Sequence, residues 1–421
     1  MVKKIIIALV CLVAGNTYAQ NGTVSPYSYF GIGDSRTTSS VENQMMGGLS
    51  MYGDSIHISF KNPAAFGKLG LMTYTAALSR KEIGLKSSTE KQSSSITNLD
   101  YLAIGFPLAK GLGVGFGLMP YSSVGYGIVI ESLNQNQETI FNSYSGEGGL
   151  NRAFLSLGYQ ATKDISIGAT ANFSFGTISS QRVQSEDDVQ FGTLDERESR
   201  INGFDFNISA NYTPKISDRH TLYTSLGIDT QVNLVSKNSQ RIGSFSTVNG
   251  QDIEVLDVNL AAQNLLNTEI KIPTTTTLGV GFGEERKWFL GGEYSFQALD
   301  GFSSAFFEQD NLQYKDASGF AIGGFFIPEY NSFDKFFRRV TYRAGAKYSK
   351  TGMVVNNEEI NNFGITFGLG LPMGRTFSNI NLGFELGKRG TTNANLVREN
   401  YFKINIGLSL NDRWFQKRQI D

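Results

Sequence analysis

Two histidines and a few acidic clusters are the side chains in this 421-residue sequence that could carry out chemistry. His57 closes the run Asp54-Ser55-Ile56-His57, and a Ser/His pair of this kind could belong to a lipase-like hydrolase. Such a hydrolase presents its serine in a Gly-x-Ser-x-Gly turn, and no such turn accompanies Ser55. We therefore predict that the protein is not an enzyme, and we assign no catalytic residue.

Metal and cofactor sites have little support either. Two histidines, His57 and His220, are too few to make a histidine-ligated metal site easy to build, and we interpret His220 as a membrane-interface residue. Asp187, Asp188 and the acids of 196–198 could hold calcium loosely, although a solvated acidic loop is the preferred interpretation. We predict no metal and no cofactor.

Composition excludes two further classes of protein. The net charge is −1 and no basic stripe is present, so nucleic acid is not expected as a partner. Mean hydropathy is −0.18, and past the first residues no apolar run approaches the roughly 18 residues of a spanning helix. If the chain crosses a membrane, it must do so as a barrel.

The stretch from Gly111 to Met119 shows which element organises the chain. Glycines alternate there with Leu112, Val114, Phe116 and Leu118. A side-chain period of two places the apolar residues on one face of a strand and the glycines on the other, where the sheet must be thin or crowded. This context also excludes a dinucleotide-binding loop at the same glycines, because no helix follows.

The same alternation returns along the chain with a polar second face, for example over 165–176, 204–213 and 402–411. Strands of about ten residues, apolar outside and polar inside, are typical of a membrane barrel with a wet or plugged lumen. We predict strands near 70–79, 98–108, 111–130, 150–161, 164–180, 200–213, 220–236, 271–283, 286–297, 318–327, 338–350, 359–372, 378–388 and 400–411.

The connections between these strands support the same architecture. Long ones at 80–97, 131–149, 181–198, 239–269 and 298–317 alternate with short ones at 109–110, 162–163, 214–218 and 284–285. Outer-membrane barrels have long loops outside and short turns on the periplasmic side. We therefore predict an all-β fold, a transmembrane antiparallel β-barrel of about 14 strands over residues 70–411. Residues 253–258 could add a strand and shift this count.

Seven charged residues within the predicted strands all lie on the polar face of their strand, and none of these seven lies on the apolar face. A charge facing lipid at mid-depth would cost roughly 2–4 kcal/mol, so we predict that these residues face the lumen: Asp205, Asp229, Glu293, Arg343, Lys347, Glu385 and Lys403.

The N-terminus resembles a secretory signal. Lys3 and Lys4 precede an apolar run over 5–14, and Thr17-Tyr18-Ala19 offers small residues before a cut. We predict that residues 1–19 are a signal peptide. The alternative is a lipoprotein signal acylated at Cys11, where Val10 replaces the expected small residue.

Residues 20–69 lack a sustained period and are rich in Gly, Ser and Asn, ending on Asn62-Pro63-Ala64. The backbone N–H and C=O groups of such an irregular segment must find hydrogen-bond partners through close packing rather than in a strand ladder. We predict a plug inside the lumen; a disordered periplasmic arm is the alternative.

Together, these features resemble the long-chain fatty-acid transporter (FadL/TodX) family of outer-membrane barrels. The features are the segment ending in Asn62-Pro63-Ala64, the strand count, and Ile272-Pro273 leading into Leu278-Gly279, followed by Trp288, Gly292 and Tyr294. The resemblance implies that the N-terminal segment is a hatch and that Asn62, Pro63 and Ala64 belong to it.

A soluble secreted β-sandwich or propeller is disfavoured because the predicted strands are long enough to cross lipid, and two functions remain open. The first is uptake of a hydrophobic, fatty-acid-like molecule through a hatch-gated lumen in the outer membrane of a Gram-negative bacterium, with outer-membrane lipid as the surroundings. The second is an accessory barrel subunit of an envelope protein-export or assembly complex, as some members of that family are. The aromatic-basic residues of the tail 412–421 could then dock a partner in the periplasm: Trp414, Phe415, Lys417 and Arg418.

Overall fold

The computed structural model describes residues 22–36, 38–307, 311–374 and 377–413. The predicted signal peptide and the predicted docking residues 414–418 lie outside these ranges. Among the described residues, no helix is both long enough and apolar enough to cross a membrane.

Long antiparallel strands make up the wall of a barrel. They are β2 (Met72–Lys86), β3 (Lys91–Ala109), β4 (Leu112–Leu133), β5 (Thr139–Gln160), β6 (Ile165–Glu186), β7 (Phe191–Tyr212), β8 (His220–Asp229), β9 (Val232–Ser246), β11 (Asn267–Ile272), β12 (Thr275–Glu284), β13 (Trp288–Gln297), β16 (Ala317–Phe326), β17 (Thr341–Val355), β18 (Glu358–Pro372), β19 (Asn379–Arg389) and β20 (Arg398–Asp412).

Pairing of β2 with β20 closes the barrel. β8 and β9 form one wall strand interrupted at 230–231, since both pair with β7. β11 and β12 form the next, interrupted at 273–274, where Pro273 has no N–H to donate. The wall therefore has fourteen strands, which confirms the predicted fold class.

Four short strands lie outside this count: β1 (Asp34–Ser35), β10 (Asp252–Asp257), β14 (Ser303–Ser304) and β15 (Leu312–Tyr314). β10 corresponds to the doubtful strand at 253–258. It pairs with the end of β9 as a hairpin, so it does not shift the strand count.

Helices are few and short: 3-10 helices at Pro26–Tyr29, Pro63–Lys68, Leu299–Gly301 and Asn393–Asn395, and the α-helices α1 (Val41–Gln44) and α2 (Phe336–Arg339).

The predicted long loops were wrong in extent. Residues 80–86 and 91–97 continue β2 and β3, so their connection shrinks to 87–90, and the loops predicted at 131–149, 181–198 and 239–269 are likewise mostly strand. An apolar outer face is needed only where a strand meets lipid, whereas the ladder can continue with polar residues on both faces. The alternation therefore marked only the lipid-facing part of each strand.

Alternation along β7 shows how the wall is built. The outward apolar side chains Phe204, Phe206 and Ile208 are exposed to the surroundings of the barrel. The polar side chains between them, Asp205, Asn207 and Ser209, are buried inside.

The barrel has two ends. We call the end with connections 110–111, 161–164 and 285–287 the turn end, and the opposite end the loop end.

Candidate functional site: the filled lumen

The N-terminal residues 22–36 and 38–70, which we call the inner segment, pack against the inner face of the wall. Its apolar side chains, such as Val41, Met45, Leu49 and Phe66, are at most 2% exposed. The Tyr29 ring packs edge-to-face against Tyr126 toward the loop end, and the segment enters β2 at the turn end. It therefore runs through the lumen from one end to the other.

Asn62-Pro63-Ala64 attaches the segment to β7. The Asn62 amide donates to the backbone oxygen of Ser50 and to Oδ1 of Asn211, both at 3.0 Å, and accepts from the Ser209 hydroxyl at 2.9 Å. The backbone N–H of Ala64 donates to the same hydroxyl at 2.8 Å. The motif thus satisfies backbone and side-chain groups where no ladder is available.

Glycines on the inner wall receive the helix Pro63–Lys68. A Cβ at any of them would collide with Pro63 or Phe66: Gly113 and Gly115 on β4, Gly158 on β5 and Gly168 on β6. A second patch receives the backbone of Met46 and the side chain of Met45: Gly323, Gly345 and Gly368. Gly113 and Gly115 of the 111–119 stretch therefore form part of the surface on which the inner segment packs.

All seven predicted lumen charges lie on the inner face of the wall: Asp205, Asp229, Glu293, Arg343, Lys347, Glu385 and Lys403. They do not form one site. Asp205 pairs with Arg152 at 2.8 Å and Lys347 with Glu385 at 2.7 Å, Asp229 accepts from Asn207 at 2.6 Å, and others contact the inner segment.

Polar contacts tie the inner segment to several wall strands. Glu293 on β13 accepts two hydrogen bonds from Ser50, at 2.7 and 2.9 Å. On β20, Lys403 donates to the Gln44 side chain at 3.1 Å. On β19, Asn381 donates to Glu42 at 2.6 Å and accepts from Arg343 at 3.1 Å.

Further anchoring residues were missed by the sequence analysis. Asp100 lies 3.3 Å from Arg36 and 3.6 Å from Lys403, Glu399 accepts from the Ser25 hydroxyl, and Arg389 pairs with Asp34. Asp100 occupies a bulge of β3, and Glu399 and Arg389 lie one residue outside the predicted strands. The feature of the sequence that could have identified them is a charged residue at the edge of a stretch that alternates apolar and polar residues.

His57 and Asp54 form a half-buried pair near the turn end. Nδ1 of His57 lies 2.7 Å from Asp54, and Nε2 lies 3.8 Å from Glu42. Burial opposes the imidazolium, but Asp54 and then Glu42 outweigh it and raise the pKa of His57. Burial likewise opposes the Asp54 carboxylate, but His57 and two backbone N–H donors lower the pKa of Asp54 to about 2.

No group of three or more His, Cys, Asp or Glu within the described ranges could hold a metal ion. Two of the acids considered for calcium lie on β7 and have arginine partners: Glu196 pairs with Arg241, and Glu198 lies 2.9 Å from Arg200. His220 stacks on Phe282 with ring centroids 5.2 Å apart, beside Trp288.

Two cavities lie at opposite ends of the inner segment. The loop-end cavity, about 510 Å³, is lined by Tyr121, Val232, Ile272 and Phe302 together with charged residues such as Arg152 and Arg389. The second, which we call the vestibule, is about 1330 Å³ and opens at the turn end, bounded by residues 52–57, 67–71 and the connections between strands.

An aromatic loop over 327–340 connects β16 and β17 at the turn end. Phe333 and Phe337 are 97% and 74% exposed. Helix α2 carries Arg338 and Arg339 in its last turn.

The BamG family model matches residues 1–421. No curated protein sequence matches the chain significantly.

Solved structures share the fold. The Ralstonia pickettii toluene transporter TbuX is 13% identical, covering 89% of this chain and 99% of its own, with a TM-score of 0.60. The Pseudomonas putida toluene transporter TodX is 16% identical, covering 91% and 100%, with a TM-score of 0.59. A Pseudomonas aeruginosa FadL homologue is 11% identical, covering 90% and 98%, with a TM-score of 0.56. At these identities the likeness shows the fold, and the predicted resemblance to FadL/TodX barrels is confirmed at that level.

Proposed function

The chain belongs to the BamG family, and we propose that it is an outer-membrane barrel that serves as an accessory subunit of a larger envelope protein complex. In this proposal the inner segment is a plug fixed in the lumen, the turn end faces the periplasm, and the aromatic loop docks the partner.

The observation that carries this proposal is the exposed aromatic loop. Phe333, Phe336 and Phe337 are all exposed on this segment at the turn end, the rings of Phe336 and Phe337 pack against each other, and Arg338 and Arg339 follow them. Exposed aromatic clusters with a polar rim mark interaction sites. An interfacial membrane anchor uses the same residue types, and the experiment below separates the two.

Anchoring of the inner segment supports a closed, rigid subunit. Moving the whole segment aside would break its contacts with Glu293, Asn381 and Lys403 and with the Ser209–Asn211 stretch of β7. Each such bond contributes about 0.5–1.5 kcal/mol net, and about 1.5–3 kcal/mol where a charge takes part. Displacement of the whole segment is therefore costly without a partner or ligand to compensate.

Co-purification from native membranes tests the proposal. Affinity-tagged protein extracted in mild detergent and analysed by native mass spectrometry should carry a larger protein. That partner should be lost in the double variant Phe333→Ser, Phe337→Ser. The control is Phe191→Ser with Val248→Ser, which removes two exposed apolar side chains at the loop end. A monomeric profile for the unmodified chain would contradict the accessory role.

A second candidate is uptake of a hydrophobic, fatty-acid-like molecule through a plug-gated lumen, favoured by the loop-end cavity. Buried aliphatic residues line the wall around it, including Val232 and Ile270, with Ile272 and Phe302 packed against them. The cavity also adjoins the interruptions of two wall strands, at Thr230 and Pro273. Its volume falls within the range of small-molecule pockets, about 300–1,000 Å³.

Native mass spectrometry also tests this candidate. An apolar adduct that is present in the unmodified protein and absent in Val232→Trp, which fills the cavity, would support ligand binding. Normal uptake in a deletion strain, together with no adduct, would exclude it.

A further inference from the structure

We propose that the vestibule binds an acidic segment of a periplasmic protein partner. The inference rests on the orientation and accessory role proposed above, and it concerns the cavity next to the aromatic loop, which contributes Arg339 to the cavity lining.

Charge is the first observation. Eight basic side chains line the vestibule against three acidic ones: Lys68, Lys110, Lys163, Lys215, Arg286, Arg339, Arg343 and Arg413 against Asp54, Asp164 and Glu285. The whole chain carries a net charge of −1, so the lining of the vestibule is more positive than the chain as a whole. A concave surface lined by one sign of charge focuses its field and attracts the opposite charge.

The rim cations are available for a partner. Lys110, Lys163, Lys215 and Arg413 are exposed and lie on three different connections and at the end of β20. None of them forms an ion pair with any residue in the described part of the chain. Their arrangement around the mouth suits a chain of several carboxylates rather than one anion.

Two cations lie deeper. Among the described residues, the Lys68 ammonium donates to the Thr213 hydroxyl at 3.2 Å and lies over the Tyr223 ring, and burial lowers the pKa of Lys68. Arg339 has a buried Nε without a hydrogen-bond partner among the described residues. An entering carboxylate would supply a negative counter-charge for both cations and a hydrogen-bond acceptor for Nε of Arg339.

Size and shape favour a peptide. At about 1330 Å³ the vestibule exceeds an ordinary small-molecule pocket of about 300–1,000 Å³. Its floor adds an aromatic cluster in which Tyr52 packs against Phe325 and Tyr223 with ring centroids 4.9 and 5.4 Å apart, which suits an apolar side chain among acidic ones. Lipid is disfavoured because the vestibule lies within the ring of strands, whereas both leaflets lie outside it.

The chain's own tail does not complement this surface. The residues that follow Arg413 carry Lys417 and Arg418 against Asp421. A separate acidic segment is therefore the occupant that the charges select.

Fluorescence anisotropy tests the proposal on the full chain in non-ionic detergent. The probe is a fluorescein-labelled octapeptide of glutamates with one central phenylalanine, and the same peptide with glutamine in place of glutamate is the control probe. We expect salt-sensitive binding of the acidic probe only, weakened about tenfold or more in the triple variant Lys110→Gln, Lys163→Gln, Lys215→Gln.

The matched control replaces three lysines at the loop end, Lys86→Gln, Lys91→Gln and Lys237→Gln, and should bind as the unmodified protein does. Equal affinity of the vestibule variant, or equal loss in the control, would overturn the proposal. So would a variant that keeps the peptide but no longer binds vesicles containing phosphatidylglycerol, because the surface would then recognise lipid. If the acidic peptide did not bind while the protein still co-purified with a larger partner, the proposed role of the vestibule would be refuted and the accessory role would remain supported.

Discussion

Ser50 donates both its backbone N–H and its hydroxyl to the same carboxylate oxygen of Glu293, at 2.7 and 2.9 Å. The two residues are 243 positions apart in sequence, and the carboxylate is buried. This contact joins the inner segment to the wall strand β13. It makes Glu293 a direct test of how firmly the segment is held.

We predict that Glu293→Leu loosens the inner segment without opening the wall. Two hydrogen bonds to a charged group are lost, worth about 1.5–3 kcal/mol each. Hydrogen exchange measured by mass spectrometry should speed up in peptides around Ser50 while the strands stay protected. Glu254→Leu, on the exposed hairpin strand β10, is the control, and unchanged exchange around Ser50 in Glu293→Leu would show that the contact is dispensable.

The glycines of β4 provide a second prediction. Gly113→Ala places a Cβ against the backbone oxygen of Phe66, whereas Gly127→Ala on the same strand meets open space. Overpacking of this kind costs about 1–3 kcal/mol. Gly113→Ala should therefore lower the urea midpoint of the folded barrel, and Gly127→Ala should leave it unchanged. Equal midpoints would mean that the helix Pro63–Lys68 can shift at little cost.

Much of this wall could be predicted because lipid imposes a period of two on every strand that meets it. All fourteen predicted strands overlap wall strands, and charges such as Asp205 and Glu385 lie on the inner face. The extensions beyond lipid were missed because residues such as 91–95 have no apolar face to mark them.

The contacts inside the lumen could not be predicted from one sequence. The contacts of Lys403 with Gln44 and of Asp100 with Arg36 depend on how an aperiodic segment folds across the barrel, and the alternation of apolar and polar residues does not indicate that path. The motif Asn62-Pro63-Ala64 was visible, but its partners Ser209 and Asn211 were only two polar residues among many on β7.

The half-buried pair His57–Asp54 makes the stability of the inner segment depend on pH. Because the folded-state pKa of His57 is raised, its contribution is fully present below the unfolded value of about 6.5 and is lost as pH rises through the folded value. Asp54, with its pKa lowered to about 2, contributes above about 3.8 and loses that contribution as pH falls toward 2. Glu42 supports the imidazolium and Arg343 opposes it.

His57→Gln should therefore destabilise the protein more at pH 5.5 than at pH 9.5, as measured by urea midpoints or by hydrogen exchange around residues 52–57. His220→Gln is the control, since His220 lies at the turn end outside the lumen, stacked on Phe282. The same loss at both pH values would mean that His57 packs as a neutral ring.

Asn62→Asp tests the predicted hatch motif at constant shape. The Asn62 amide donates to two acceptors, the Ser50 carbonyl and Asn211 Oδ1. An ionised carboxylate at this position has no hydrogen-bond donor, so both acceptors would lose their partner. An unsatisfied buried polar group costs about 1–3 kcal/mol, and more when charged. The urea midpoint should fall at pH 7.5 and recover in part at pH 4, where a protonated carboxyl can donate one of the two bonds.

The control is Asn249→Asp, on an exposed hairpin, which should leave the urea midpoint unchanged at both pH values. If Asn62→Asp were as stable as the original protein at pH 7.5, water would reach this site and the motif would not fix the inner segment.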